Sequence, residues 1–548
     1  MTEPLDETES IAPANAGTVS EPRLGRNAAV MTVLTGVSRV TGLVRIVVVG
    51  AVLGDTFLGN TYQSTNAVPN LVFEVMAAGV FQAVLVPSLV RHLSLRRRAE
   101  AERLAGSVLG ASLVALTAVA LVGMVVAPWI SRGLFSGSDP AVRADQIRLG
   151  TIFLLVFLPQ VGMYAIGMVA TGVLNASDRF AIPAIAPAVN NVIVTTAYGL
   201  FWWSRQGAEP SLDLTGGQIA LLAGGTTAGV VGFCALPAIA VVRSGFSLRI
   251  RPGWRDPEVR RVIRMGAWAA GFLAGTQLLL VVELVLANRV AGGVVAFQIG
   301  WTFFLLPYAL FAQPVLTALF PRMSRQEARS DLDGLRSSIR QGTELICLFA
   351  VPAAVAFVAV GRAASRAVLF GNIDADGAER IGEVVASFGP GVIGYGLLLF
   401  YARVFYSRLD ARTPTLVATA AAAGGATLMI VTAPHVGPDH QVPVLAALHS
   451  ATYVVGALVI VTVLRRRIDP TEPLGLLRTL RPQLIATVPV AVVGIAAGWA
   501  VPLDSRLTAM VGAGAISAGI GVAHLLLTAL AGGPDPRQML TSMRSRGR

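Results

Sequence analysis

Apolar runs recur along the whole chain, each about the length of one bilayer crossing and each ended by a short polar or arginine-bearing stretch. A helix needs about 20 mostly apolar residues to cross roughly 30 Å of hydrocarbon. On that measure the pattern predicts fourteen spans, near 28–54, 61–90, 105–131, 147–175, 182–204, 217–242, 258–288, 293–320, 338–361, 380–407, 413–433, 442–464, 481–502 and 507–531. Breaks are expected inside the second span, at Pro69 and Ala78-Gly79, and between the last two, at Pro502-Leu503-Asp504. Pro69 and Pro87 mark span 2 as Pro307 and Pro314 mark span 8; each span leads into an arginine-rich loop and then a plain apolar span. This correspondence suggests two pseudo-symmetric six-helix lobes with a helix pair added at the end, a construction used by many transporters. The general frequency of proline and glycine in membrane helices would give the same punctuation.

The expectation is an all-α polytopic membrane protein. Residues 1–25 would be a disordered cytoplasmic tail, 26–243 and 244–467 the two lobes, 468–532 the added pair and 533–548 a basic cytoplasmic tail. The first stretch is acidic and has no apolar core, so it does not read as a signal peptide.

Composition agrees with a membrane protein. Hydrophobic residues make up 54% and charged residues 14%, with mean hydropathy +0.67; a soluble chain carries nearer about 25% charged residues. The net charge of +12 comes from arginine alone, since the 43 basic residues include no lysine. These arginines form no single basic face, which argues against a nucleic-acid partner. They fall in bursts between apolar runs, as in loops facing anionic lipid. About 32 of the 43 lie in the tails or in loops on the N-terminal side, against nine in the opposite loops, where Asp139, Asp145, Glu209, Asp213, Asp374 and Asp376 also lie. The positive-inside rule then puts both termini in the cytoplasm. Cys234 and Cys347 sit in apolar spans and suggest no disulfide, and His435, His440 and His449 show no metal-ligand spacing. No phosphate-binding loop or nucleophile elbow appears, so neither an enzyme nor a cofactor is expected.

The candidate chemistry lies in the first span, in Ser38-Arg39-Val40-Thr41-Gly42-Leu43-Val44-Arg45. A charge near the bilayer centre costs between about 3 and 10 kcal/mol and is tolerated beside a watery cavity. Six residues apart on a helix, Arg39 and Arg45 lie within about 120° of each other and about 9 Å apart along the axis. They could line one wall, and fixed cations on the inner wall of a bundle suit an anionic cargo.

That segment, with Gly54, Ala67-Val-Pro-Asn70-Leu, Gly79-Val-Phe-Gln-Ala-Val-Leu-Val-Pro87, Leu319-Phe-Pro321 and Asp410-Ala-Arg-Thr-Pro414, resembles the MurJ (MviN) lipid II flippases. These belong to the multidrug/oligosaccharidyl-lipid/polysaccharide exporter superfamily. The resemblance implies two lobes around a cationic cavity in the bacterial plasma membrane. It also implies alternating-access transfer of an undecaprenyl-pyrophosphate-linked saccharide to the outer leaflet for cell-wall synthesis. Arginine suits such a cargo, because its planar fork matches phosphate oxygens. By position, Ser38, Arg39, Arg45 and Asn70 would bind substrate, Asn70 on a Pro-Asn turn, and spans 13–14 would form the groove for the lipid tail. The chain departs from the family at Ile46, at Phe73-Glu74, at Ala78 and in span 8 at Trp301 or Thr302, so two expected cavity arginines are missing.

Glu74 and Glu283 are the candidates for coupling or gating. Glu74 could instead pair with Arg39 or Arg45, and Glu283 could serve a polar neighbour. Glu344 reads as a helix N-terminal residue. The span 11 positions from which a coupling sodium ion would be held look like Gly425 and Met429, which have no ligating group; a proton gradient or the membrane potential remains as drive. Anionic membrane lipids and cell-wall synthesis proteins are the expected partners. Two alternatives stand beside this reading: an exporter of another lipid-linked oligosaccharide, and a non-transporting scaffold for cell-wall synthesis.

Overall fold

In a computed structural model of the chain, residues 21–76, 85–95, 97–252, 277–468 and 474–534 are described. The first lobe's helices are α1 (Glu21–Leu53), α2 (Phe57–Met76), α3 (Val86–Ser94), α4 (Arg98–Leu134), α5 (Pro140–Phe157), α6 (Gln160–Ala176), α7 (Ala181–Ser204) and α8 (Gly216–Arg243). There follow α9 (Gln277–Ala287), α10 (Gly293–Ala328), α11 (Leu332–Val368), α12 (Ala375–Ser407), α13 (Arg412–Thr432) and α14 (Pro438–Ile468). The last pair is α15 (Leu476–Trp499) and α16 (Arg506–Leu530). Among the described residues there is no β-strand.

Twelve helical stretches, with α5 and α6 counted as one, are long and apolar enough to cross a membrane among the described residues. They coincide with twelve of the fourteen expected spans. The other two, 61–90 and 258–288, run into stretches outside the described residues, as do Ala78-Gly79, most of the N-terminal tail and most of the C-terminal one. The Pro502-Leu503-Asp504 break is present between α15 and α16. Three local readings are corrected. The expected N-terminal tail gives way to helix at Glu21. Helix α2 runs unbroken through Pro69-Asn70, so no turn forms there. Glu344 lies more than three turns inside α11 and caps nothing.

Span 4, in contrast, is divided at Leu158-Pro159 into α5 and α6, where proline removes a backbone donor. In α10 a π turn over Tyr308–Ala312 lies between Pro307 and Pro314, whose rings disfavour regular α spacing.

Helix ends are set by caps, which hydropathy does not report. Both α4 and α11 reach 37 residues, about 55 Å at 1.5 Å per residue, well beyond the hydrocarbon. Two acids of the opposite loops act here as caps. Asp139 accepts from Ala141 N–H at 2.8 Å, Asp374 from Gly377 N–H at 2.7 Å, and Thr215 with Gln218 forms a capping box at α8.

On the other side of the bundle, Asp410 accepts from Thr413 N–H at 3.0 Å and Thr413 Oγ1 at 2.7 Å, and pairs with Arg467 at 3.0 Å. Partial burial pushes its carboxyl up, but the Thr413 hydrogen bonds and Arg467 outweigh that and hold it below the ordinary value. Its stabilisation is therefore complete above the usual carboxylate range and is lost as pH falls through the depressed value. Asp410→Asn removes the charge that pairs with Arg467 and should cost at most about 1 kcal/mol and flatten the acid limb of a melting-temperature profile.

Packing falls into two groups of helices. In the first, α7 lies against α1 and α8, and α6 against α4 and α8. In the second, α12 is central and touches α10, α11 and α14. The α15–α16 pair packs on α11, so closely that a Cβ on Gly498 would stand 1.9 Å from the Ala359 carbonyl oxygen. Its outward face, with Val488, Val492 and Leu526, is exposed and apolar, as suits lipid contact.

Candidate functional site

Between the two groups lies a cavity of about 280 Å³. Helix α1 contributes Arg45, Ile46 and Val49; α2 contributes Gln63, Asn66, Asn70 and Glu74; α7 contributes Tyr198; α9 and α10 contribute Leu280, Gln298, Trp301 and Thr302. The α2 residues follow from its sequence, since Asn60, Gln63, Asn66, Asn70 and Glu74 recur every three or four residues and so share one helix face. Sequence reading found Asn70 and Glu74 but passed over this stripe.

Arg45 is half-buried, and among the described residues no carboxylate lies within ion-pair range of it. It is the one basic side chain among the described lining residues. Asn70 accepts a hydrogen bond from Tyr164 OH at 3.0 Å, which fixes its amide on the wall. Glu74 accepts from Gln277 Nε2 of α9 at 2.6 Å; it joins the two lobes and does not pair with Arg45 or Arg39. Ile46, Trp301 and Thr302, where the resemblance led to an expectation of charge, all lie on the wall, and Phe73 packs on Tyr164 with centroids 4.3 Å apart.

Ser38 and Arg39 are placed elsewhere. The Ser38 carbonyl faces α7 and accepts from Asn191 Nδ2 at 3.3 Å, while Arg39 is exposed and absent from the cavity lining. The twist of α1 and its rise over six residues turn Arg39 away from Arg45 and carry it toward the N-terminal end of the bundle.

The cavity is sealed at one end. That end carries the loops after α1, α4, α9 and α11, opposite the chain's N-terminal side. Asn60 donates to the Val290 carbonyl at 2.7 Å and accepts from Val294 N–H at 2.9 Å. Asn372 donates through its backbone to Ala51 O at 2.8 Å and through its side chain to Val52 O at 2.8 Å. Asn288 reaches Ser64 at 2.8 Å and Ser138 reaches Asn288 O at 3.1 Å. Arg380 and Asp55 form an ion pair; burial pushes the Asp55 carboxyl up, against the pull of Arg380. Among the described residues the hydrogen bonds between the lobes fall at or within two turns of this seam, apart from Gln277–Glu74 and the Arg251 N–H to Gly106 carbonyl bond at 3.1 Å beside the start of α4. Asn60 is fully buried, and replacing it with leucine would leave two backbone groups unpaired, at about 1–3 kcal/mol each.

Glu283 is fully buried inside the second group, away from the cavity lining, and is hydrogen-bonded to His449 of α14. That partner was not legible, because 166 positions separate the two residues. An apolar groove of about 290 Å³ runs between α15 and α16, lined by Val490, Val493, Gly494, Ile520 and Leu527. A second apolar groove, of about 470 Å³, lies between α12, α14 and the start of α15, with Arg465 and Arg478 in its lining.

The family model described as "Lipid II flippase MurJ" matches residues 49–507. A probable lipid II flippase MurJ of Rhizobium meliloti is 24% identical over 403 residues, covering 72% of this chain and 73% of its own length. The lipid II flippase MurJ of Burkholderia cenocepacia is 25% identical over 390 residues, covering 70% and 73%. A solved lipid II flippase MurJ in an inward closed conformation superposes with TM-score 0.72 at 17% identity, over 91% of this chain and 98% of its own. An inward-facing multidrug resistance MATE transporter of the MOP superfamily gives 0.64 at 12% identity, over 79% and 94%. The family match runs from the last residues of α1, past Arg45, through the rest of the cavity wall and the seam, to the start of α16; this chain belongs to the MurJ family of lipid II flippases.

Proposed function

We propose that this protein moves lipid II, the undecaprenyl-pyrophosphate-linked peptidoglycan precursor, from the inner to the outer leaflet of the bacterial plasma membrane by alternating access. The observation that carries the reading is an arginine, Arg45, without an ion-pair partner among the described residues, on the polar wall of a cavity between two lobes. A diphosphate cannot cross hydrocarbon unaided, and a guanidinium in a half-buried site offers it charge-assisted hydrogen bonds midway. Asn70, Gln63, Asn66 and Gln298 supply neutral donors for the sugar next to it. Arg39 and Ser38, nearer the N-terminal side, meet the headgroup before it reaches Arg45.

With both termini cytoplasmic, as the arginine distribution supports, the sealed seam is external and the cavity is in its inward-facing state. Release then requires parting of the Asn60, Asn372 and Asp55–Arg380 contacts. The polyprenyl tail stays in lipid, with the α15–α16 groove as its track. Arg465 and Arg478 beside the larger apolar groove suit anionic lipid headgroups. The membrane potential or an ion gradient supplies the drive.

The test is depletion of this protein in its host with measurement of lipid II accessible at the outer leaflet. Accessible lipid II should fall while the total pool rises. An unchanged outer pool would remove the transport reading and favour a scaffold.

A further inference from the structure

Glu283 on α9 and His449 on α14 take no part in lining the cavity, and both are withdrawn from water, at 0% and 3% exposure. His449 Nδ1 and Glu283 Oε1 are hydrogen-bonded to each other. Among the described residues their second polar atoms, Glu283 Oε2 and His449 Nε2, are buried without a hydrogen-bond partner. The rings of Phe297, Trp301 and Phe304 from α10, Phe388 from α12 and Tyr453 from α14 surround the imidazole, with centroids 4.8–6.3 Å away. Helix α13 closes the site beside α9 with Ala422, Ala426 and Met429. Of the titratable groups, Tyr453 of α14 packs on the ring at 4.8 Å, Tyr395 of α12 lies behind it, 4.9 Å from the Tyr453 ring, and Glu74 of α2 is on the cavity side, held by Gln277. The α10 and α13 residues against it carry none.

A carboxylate beside a neutral imidazole would leave a net negative charge among aromatic rings that cannot solvate it. One proton removes that charge, whether it rests on the ring nitrogen or on the carboxyl oxygen. We infer that Glu283 and His449 form a single proton-binding site, occupied in this closed arrangement of the C-terminal lobe and emptied when α9 and α14 part enough to admit water. The proton comes from, and returns to, the aqueous phase, and no other group changes its bonding.

Helix α9 ties this site to transport, so the coupling rests on the function proposed above. The same short helix carries Leu280 on the cavity wall and Gln277 hydrogen-bonded to Glu74 of the other lobe, and Asn288 just beyond its end reaches Ser64 in the seam. Trp301 belongs to the cavity wall on one side and lies 4.9 Å from the His449 ring on the other. Loss of the proton would therefore shift a helix that touches cargo space, interlobe bond and seam together.

The test begins with a pH titration of the full chain in lipid nanodiscs, followed through the Trp301 contribution to emission, taken as wild type minus Trp301→Phe. One proton-dependent change is expected across the titration, and it should be absent from both His449→Gln and Glu283→Gln. A flat wild-type signal, or a change that survives His449→Gln, overturns the site. A second arm needs no variant to fold: wild-type protein in vesicles with fluorescent lipid II, at zero membrane potential, under opposite pH gradients. The two gradients should give rates differing at least about fivefold, and equal rates overturn the coupling. If no labelled lipid II moves while the titration behaves as expected, the cargo reading fails and the proton site stands.

Discussion

Arg45→Glu should abolish lipid II translocation in a protein that still folds and inserts. Arg45 makes no ion pair among the described residues, so its replacement strands no buried partner and the helix keeps its packing against α7. What changes is the cavity, which would then hold two carboxylates and no cation among its described lining residues. A diphosphate entering there meets repulsion where it had a matching fork. Removing one side of a desolvated charge pair costs about 2–5 kcal/mol, so the loss in flipping rate should be at least about 30-fold. Arg45→Lys keeps the charge but loses the planar fork, and an intermediate rate is expected. Arg39→Glu, on an exposed position outside the cavity lining, should weaken transport less than Arg45→Glu. Flipping by inserted Arg45→Glu at the wild-type rate would show that the cavity arginine does not hold the cargo.

A disulfide across the seam should stop transport as completely, by a different route. Asn372 is exposed and hydrogen-bonded through its backbone to Ala51 of α1. Ala51→Cys with Asn372→Cys joins the loop after α11 to the end of α1. Oxidised, the pair would hold the lobes together at the sealed end, so cargo could enter and not leave. Turnover should fall below detection and return on reduction, whereas each single cysteine leaves it near normal. Measurement before and after reductant on the same sample separates locking from misfolding. Turnover that persists in quantitatively cross-linked protein would mean the seam never has to open.

Much of this architecture was legible in the sequence because a bilayer imposes one length on every crossing. Twelve spans and the turn before α16 follow from apolar run length alone, and the alternation of arginine follows from loop placement. Proline was less readable. Pro69 sits inside an intact helix, while Pro159 divides a span, and the residue type is the same in both. The site was half legible. Arg45, Asn70 and Glu74 share the cavity because each lies on the inward face of its helix, and the stripe from Asn60 to Glu74 carried that information in its spacing. Ser38 and Arg39 were assigned by adjacency to Arg45, but helical twist separates them from it. The Glu283–His449 contact depends on how α9 meets α14, which no local pattern encodes. The same holds for Asn60, whose value lies in two backbone groups of another lobe.

The central claim is that an arginine-bearing cavity between two rocking lobes carries a phosphate-linked lipid across the bilayer. It is tested most directly with purified protein in sealed vesicles containing headgroup-labelled lipid II on the inner leaflet. The measurement is the fraction of label that becomes reachable by an impermeant quencher outside. Wild-type vesicles should expose label with time, and vesicles carrying Arg45→Glu should match protein-free ones. Exposure at the same rate with wild type, Arg45→Glu and no protein would contradict the account.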